Sequence, residues 1–344
     1  MFLTEANVLY YLADKKFASL EDAVSGQFTV RSLGRRNRDF WIHAGDRHYF
    51  IKQVRKWDAI NRSALDAEAS LYHHSQSDPR FRFLQPILPA CHAYDPEASA
   101  LILEFLLNYA SAFDSLKRFS PELARHIGGI LGEFHSRTAS SELRQSYPDD
   151  VPWFFSLHKI EEEDLIEGSP GRRELLHTIR RYPKFAPALD DLRNRWRHEC
   201  LIHADSKLEN WLVAPDGEST RLIDWECLSW GDPRWDVATL LQSYWNFFVR
   251  YPQRYSADQI QPALHAALAA YSERRALGSQ DLVSAIIPFA AVRMLQSAFE
   301  SLEKAPELTP SVVRLLQASL NILTRPVWAA DTLLGAAWHT FASN

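Results

Sequence analysis

Residues 201–241 read LIHADSKLENWLVAPDGESTRLIDWECLSWGDPRWDVATLL, and their reading decides the fold. At the centre is HADSKLEN, which spaces His203, Asp205, Lys207 and Asn210 along one loop. An apolar pair, Leu201 and Ile202, leads in, and the short strand-like run Trp211 to Val213 leads out. After a turn at Pro215-Asp216-Gly217, a second run, Arg221 to Ile223, delivers Asp224 in the tripeptide Asp224-Trp225-Glu226. Two strands joined by an Asp-Gly turn form a hairpin. Such a hairpin brings Asn210 and Asp224 together although 14 residues separate them in sequence.

These residue types suit one chemistry. Phosphoryl transfer from ATP requires magnesium bridging the phosphate oxygens, and magnesium takes hard oxygen ligands from one or two side chains. Asn210 and Asp224 can supply them. The acceptor hydroxyl must be aimed at the γ-phosphorus and its proton must have somewhere to go, the role of a carboxylate such as Asp205. Lys207, two residues on, points the same way and can offset charge on the transferred group. By accident alone, the pattern H-x-D-x-x-x-x-N turns up in roughly a few per cent of chains this long. Chance weakens as an account once the Asp224 strand and Gly231-Asp232-Pro233-Arg234-Trp235-Asp236 follow in order.

HADSKLEN, LIDWE and GDPRWDVA together resemble the aminoglycoside phosphotransferase and choline kinase family, whose motifs read approximately HGDxxxxN, IDWE and GDPxxDLA. The resemblance implies the protein-kinase-like fold. It further implies Asp205 as catalytic base, Asn210 and Asp224 as magnesium ligands, and Asp236 as the residue that ties down the catalytic loop from the following helix. His203 is then a structural member of the loop and not a proton carrier. HADSKLEN also shares Lys207, Glu209 and Asn210 with the HRDLKPEN of Ser/Thr protein kinases, which bears on the acceptor without settling it.

At 344 residues and 46% hydrophobic content, the chain is long enough for a sizeable core and two lobes. Its formal net charge of -5 and pI near 6.2 give no general reason to expect nucleic acid or an anionic membrane as partner. Three cysteines, Cys91, Cys200 and Cys227, are few and far apart, so neither a disulfide framework nor a zinc site is expected, and a reducing cytoplasm fits best. The first residues, MFLTEANVLYYLADKKF, do not have the pattern of a signal peptide, and no run of about 18 apolar residues suggests a membrane span.

Residues 4–13 read as a short amphipathic helix capped by Thr4, with a second near Leu20 to Val24. Strand patterns then flank Ser32 to Asp39, where kinases keep a phosphate-covering loop. Gly34 is its single glycine, and Asn37 lies at its end; Arg35, Arg36 and Arg38 bring charge to a triphosphate or an acidic acceptor, or form a basic solvated tip. Lys52 lies in the strand-like run His48 to Val54. It is either a solvent-facing lysine or, in a kinase-like lobe, the partner of the α- and β-phosphates. Asp58 to His73 has helical spacing, and Glu68 on it is expected to hold Lys52, in preference to Asp66 on another face. Ile87 to Tyr94 and Ala100 to Leu106 suggest a further hairpin; its second strand resembles the kinase hinge, where the backbone of Glu104 and Leu106 would bond adenine.

Beyond Asn108 the pattern turns helical, with a long helix from Pro121 to near His135. Residues 140–185 are mixed, broken by Pro148, Pro152, Gly168, Pro170 and Gly171, and lie where family members build acceptor specificity; Leu189, Leu192 and Trp196 then form a helix. Helices at Gln259–Arg275, Asp281–Lys304 and Ser311–Thr324 and a segment through Trp338 complete a bundle. The expected architecture is α+β and bilobal, with a strand-rich lobe over residues 1–105 and a helical one over 106–344. The expected function is ATP- and Mg2+-dependent phosphoryl transfer to an alcohol, a small molecule by family default. The alternatives are a Ser/Thr kinase acting on a precursor peptide beside a partner lyase, and a non-catalytic nucleotide-binding scaffold. The latter is disfavoured because Lys52, Glu68, Asp205, Asn210 and Asp224 are all present.

Overall fold

The computed structural model describes residues 1–34, 37–55, 59–115, 118–161, 168–217, 219–335 and 338. Arg35, Arg36 and the start of the expected Asp58 helix lie outside the described residues. Helices α1 (Val8–Asp14) and α2 (Leu20–Val24) precede strands β1 (Phe28–Ser32), β2 (Arg38–Ala44) and β3 (Arg47–Gln53), then helix α3 (Ala59–Ser77). Strands β4 (Cys91–Asp95), β5 (Ala100–Glu104) and β6 (Ala110–Ser111) lead to helices α4 (Pro121–Arg137), α5 (Ser141–Arg144), α6 (Pro170–Arg181) and α7 (Phe185–Asn194). Strands β7 (Cys200–Ile202), β8 (Trp211–Val213), β9 (Thr220–Leu222) and β10 (Ser229–Gly231) follow. The remainder is helical: α8 (Pro233–Arg250), α9 (Ala257–Arg274), α10 (Ser279–Asp281), α11 (Ile287–Ser301), α12 (Pro310–Thr324) and α13 (Pro326–Leu334).

The chain divides into two compact units. The first holds Met1–Ser111 and Asn210–Leu228; the second holds Ala112–Glu209 and Ser229–Asn344. A division at residue 105 therefore does not describe it, because strand pairing carries the β8–β9 hairpin into the first unit. β6 pairs with β8, and the Leu222 N–H donates to the Ile87 carbonyl at 2.8 Å.

In the first unit, five antiparallel strands run in the order β1-β2-β3-β5-β4. Alternation fixes which face is which. On β2, Phe40, Ile42 and Ala44 are buried with Leu3, Val8, Leu12 and Ile51 under α1, while Asp39, Trp41 and His43 face the other way. Two expectations shift here. Helix α1 begins at Val8 and not at a Thr4 cap, because Asn7 Oδ1 takes the Thr4 N–H and the Thr4 carbonyl accepts from Asn7 and Val8 in a turn. The strand expected from Ile87 begins at Cys91, since the N–H groups of Ile87 and Leu88 turn back to the Leu84 carbonyl.

In the second unit, α4 packs on α9, and α8, α11 and α12 pack on one another. The region expected to be broken by Pro170 and Gly171 contains α6, because Pro170 occupies its first turn, where a missing N–H costs nothing, and Ser169 caps it. Trp196 lies just past the end of α7. Ser279–Ser301 is long and apolar enough to cross a membrane by length and composition, but 78% of its apolar window is buried within the fold. The three cysteines are free.

Candidate active site

Lys52, in the middle of the five-stranded sheet, is the hub of the first unit's polar cluster. Its ammonium lies 2.9 Å from Glu68 Oε2, 2.7 Å from Asp224 Oδ1 and 3.2 Å from Glu226 Oε2, with its side chain 5% exposed. Burial weighs against the charge, but the three carboxylates outweigh it and hold Lys52 well above its usual range, so the ammonium is permanent. Glu68 comes from α3, and its second oxygen accepts the Trp225 N–H at 3.3 Å. Asp66 is turned elsewhere and accepts from the Tyr94 hydroxyl. The β8–β9 hairpin does what its sequence suggested: the Ile223 N–H donates to the Asn210 carbonyl at 3.0 Å. Asp224 follows in the left-handed region at φ 65° and ψ 58°, a conformation that an aspartate tolerates and most residues do not.

These side chains line one cavity of about 470 Å³, together with Leu33, Asn37, Asp39, Glu104, Leu106 and Asn210. Its apolar part, from Phe50, Leu103, Phe105, Leu212 and Ile223, has the character of a nucleobase slot, and its polar end that of a phosphate and metal site. Asn210 and Asp224 are hard oxygen donors on one wall, which fits a magnesium ion. Asn37 donates to Glu226 Oε2 at 2.6 Å, joining the β1–β2 connection to Asp224-Trp225-Glu226. Gly34 has no room for a side chain, since a Cβ there would lie 2.3 Å from the Asn37 carbonyl oxygen, so this glycine serves the tight turn itself. Arg38 reaches back to the Leu3 carbonyl and over the Phe2 ring. The Glu104 N–H is taken by the Ala90 carbonyl at 2.8 Å.

Asp205 and Lys207 belong to the second unit, where the loop is pinned from α8. The two oxygens of the fully buried Asp236 accept the His203 and Ala204 N–H groups at 2.8 Å each, and the Ser206 hydroxyl donates to its carbonyl at 3.1 Å. His135 bonds Asp236 and the Tyr271 hydroxyl, each at 3.0 Å. His203 Nδ1 accepts the Asp205 N–H at 3.2 Å, a bond within the loop. Ala204 sits at φ 63°, where the family motif has glycine. Asp205 itself is paired twice, with Lys207 Nζ on Oδ2 and Arg293 Nη2 on Oδ1, each at 2.6 Å. Burial favours its neutral form, but Arg293 and Lys207 outweigh burial and hold the carboxyl below the usual range.

Residues 27–277 match the sequence profile of the phosphotransferase enzyme family. The chain belongs to that family. Among solved structures it shares its fold with choline kinase LicA from Streptococcus pneumoniae, at TM-score 0.57 and 17% identity over 92% of this chain and 98% of that one. Plasmodium vivax ethanolamine kinase aligns at TM-score 0.61 and 16% identity over 91% of this chain and 86% of that one. An amicoumacin kinase in complex with AMP-PNP and Ca2+ aligns at TM-score 0.57 and 12% identity, over 90% of this chain and 92% of that one. No curated protein matches the sequence. The protein is thus a phosphotransferase with a strand-rich N-terminal sheet and a helical C-terminal part, as its motifs suggested.

Three charged residues escaped the motif reading of this phosphotransferase. Glu226 stands two residues after Asp224, and nothing in the spacing of that tripeptide gives it a role of its own. Asp39 is placed opposite Lys52 by the β2–β3 register, which no local pattern fixes. Arg293 carried a signal, being a single charge within the apolar run Ile287 to Leu295.

Proposed function

We propose that this phosphotransferase moves the γ-phosphoryl group of ATP to the hydroxyl of a small molecule. The observation that carries this reading is the buried Lys52, gripped by Glu68 and Asp224 in a cavity that Asn210 also lines. Lys52 would engage the α- and β-phosphates once Glu68 has fixed its position. The backbone of Glu104 and Leu106 would meet the adenine edge, through the Glu104 carbonyl and the Leu106 N–H, and Gly34 and Asn37 would close over the phosphates. Asn210 and Asp224 would hold magnesium, which supplies charge neutralisation at the phosphate oxygens. Asp205, held ionised, would orient the acceptor hydroxyl. Its oxygen forms the new bond to phosphorus as the bond to ADP breaks, and the hydroxyl proton passes to Asp205. Lys207 would offset charge on the group in transit. A structural neighbour bound to AMP-PNP and Ca2+ supports nucleotide and a divalent ion in general, and neighbours named as choline and ethanolamine kinases support a small acceptor.

Incubation with magnesium-ATP and a panel of amino alcohols, aminoglycosides and Ser/Thr peptides, read by intact mass, tests the reading. One small alcohol should gain 80 Da (about one PO3H) with release of ADP, and Asp205→Asn should lower the rate at least about 100-fold while nucleotide still binds. Transfer to a peptide alone, or a rate indifferent to Asp205→Asn, would refute it.

A further inference from the structure

Arg293 stands seven residues into α11, and its side chain is only 6% exposed. Beyond Asp205 it touches two other groups of the same unit: Nη1 donates to Gln296 Oε1, and the guanidinium lies over the Trp235 ring, 5.5 Å from its centroid. Trp235 is tied to the same loop, its indole N–H donating to the Ala204 carbonyl at 3.0 Å. The guanidinium is thus braced against a ring that holds the residue next to Asp205.

Burying a guanidinium costs several kcal/mol unless a partner offsets it, and in this helix a leucine or methionine would carry no such cost. Asp205 is the carboxylate that provides the offset. Lys207 is a different kind of partner: it lies on the loop, is 33% exposed and ends a flexible four-carbon stem. The other acidic groups bearing on these two cations are Glu209 and Glu300.

The helix that delivers Arg293 has a local irregularity. Pro288 has no N–H to offer the Ser284 carbonyl, which accepts instead from Arg195 Nη1 at 3.3 Å, and residues Leu282–Ile286 form a π-turn. A π-turn changes the phase of the residues after it and so the face on which Arg293 stands.

We propose that Arg293 is a positioning residue for phosphoryl transfer, fixing the orientation of the Asp205 carboxylate and keeping it ionised. This rests on Asp205 being the base in the reaction proposed above. Two constraints, a buried planar donor on Oδ1 and the flexible Lys207 on Oδ2, hold the plane of the carboxylate from both oxygens. Arg293 acts only through Asp205, so its loss should appear in turnover and in the titration of Asp205, and not in nucleotide affinity.

The test uses the full chain labelled with 13Cγ-aspartate, the Asp205 signal being identified by its loss in Asp205→Asn. In Arg293→Gln the Asp205 midpoint should move upward, and kcat on an acceptor found in the panel should fall about 10- to 100-fold with KM for ATP unchanged. Arg293→Lys keeps the charge without the planar fork. It should restore most of the midpoint and only part of kcat, and it serves if the glutamine variant fails to fold. A midpoint unmoved in Arg293→Gln, or in Arg293→Lys a kcat equal to wild type, would overturn the proposal. If the wild-type chain transfers no phosphoryl group, the proposed function fails first, and the 13C titration still decides whether Arg293 governs Asp205.

Discussion

Asp39 is a carboxylate whose cost can be worked out and removed. It faces the cavity that Lys52 lines, from β2 and opposite that lysine, with its Oδ1 buried and without a hydrogen-bond partner. Burial pushes its carboxyl from 3.8 up to about 6; the Lys52 charge opposes this, and Asp224 and Glu226 add to it. The folded value lies above the unfolded one, so the native state binds the extra proton between those two pH values. The associated stability is fully present below 3.8 and is lost as pH rises through about 6. A difference of about 2 pH units at about 1.4 kcal/mol each makes the total loss about 3 kcal/mol at pH 8, of which about 1 kcal/mol is already lost at pH 4.5. Asp39→Asn keeps the shape and removes the titration. Its stability relative to wild type should therefore improve by about 2 kcal/mol between pH 4.5 and pH 8. Urea unfolding of both proteins at the two pH values, without nucleotide and with EDTA, measures this, and any fixed cost of the amide cancels in the comparison. A gap that stays constant or moves the other way would show that Asp39 is ionised at no cost, and the picture of an unsatisfied carboxylate would be wrong.

Two backbone positions give further outcomes. A Cβ on Gly128 would lie 2.1 Å from the Ala267 carbonyl oxygen, where α4 and α9 touch backbone to backbone, so Gly128→Ala should destabilise by about 1–3 kcal/mol in urea unfolding. Ala204 in the left-handed region costs about 1–2 kcal/mol, against about 0.5–1 kcal/mol for the extra chain entropy of glycine. Ala204→Gly should therefore stabilise by about 0.5–1 kcal/mol, seen as a rise in urea midpoint at unchanged slope.

The hairpin, the helix bearing Glu68 and the strand bearing Lys52 were legible in the sequence because each depends on contacts close along the chain. An Asp-Gly turn, a 3.6-residue apolar period and a period of two need no distant partner to be recognised. Helix α6 runs against the expectation that Pro170 and Gly171 break the pattern, because Pro170 follows a serine cap at the position where proline favours a helix start. The division near residue 105 was misplaced for the opposite reason: the pairing of β6 with β8 joins segments about 100 residues apart, and nothing local announces it.

By itself the sequence determined the family, the spacing of Asp205, Lys207, Asn210 and Asp224, and the pairing of Lys52 with Glu68, because these follow from residue type and short-range geometry. Only the tertiary structure decided that Glu226 shares Lys52, that Asp39 is stranded beside it, and that Arg293 grips Asp205 from 88 residues away. Electrostatic energy depends on distance through space and on burial, and neither is fixed until the chain has folded.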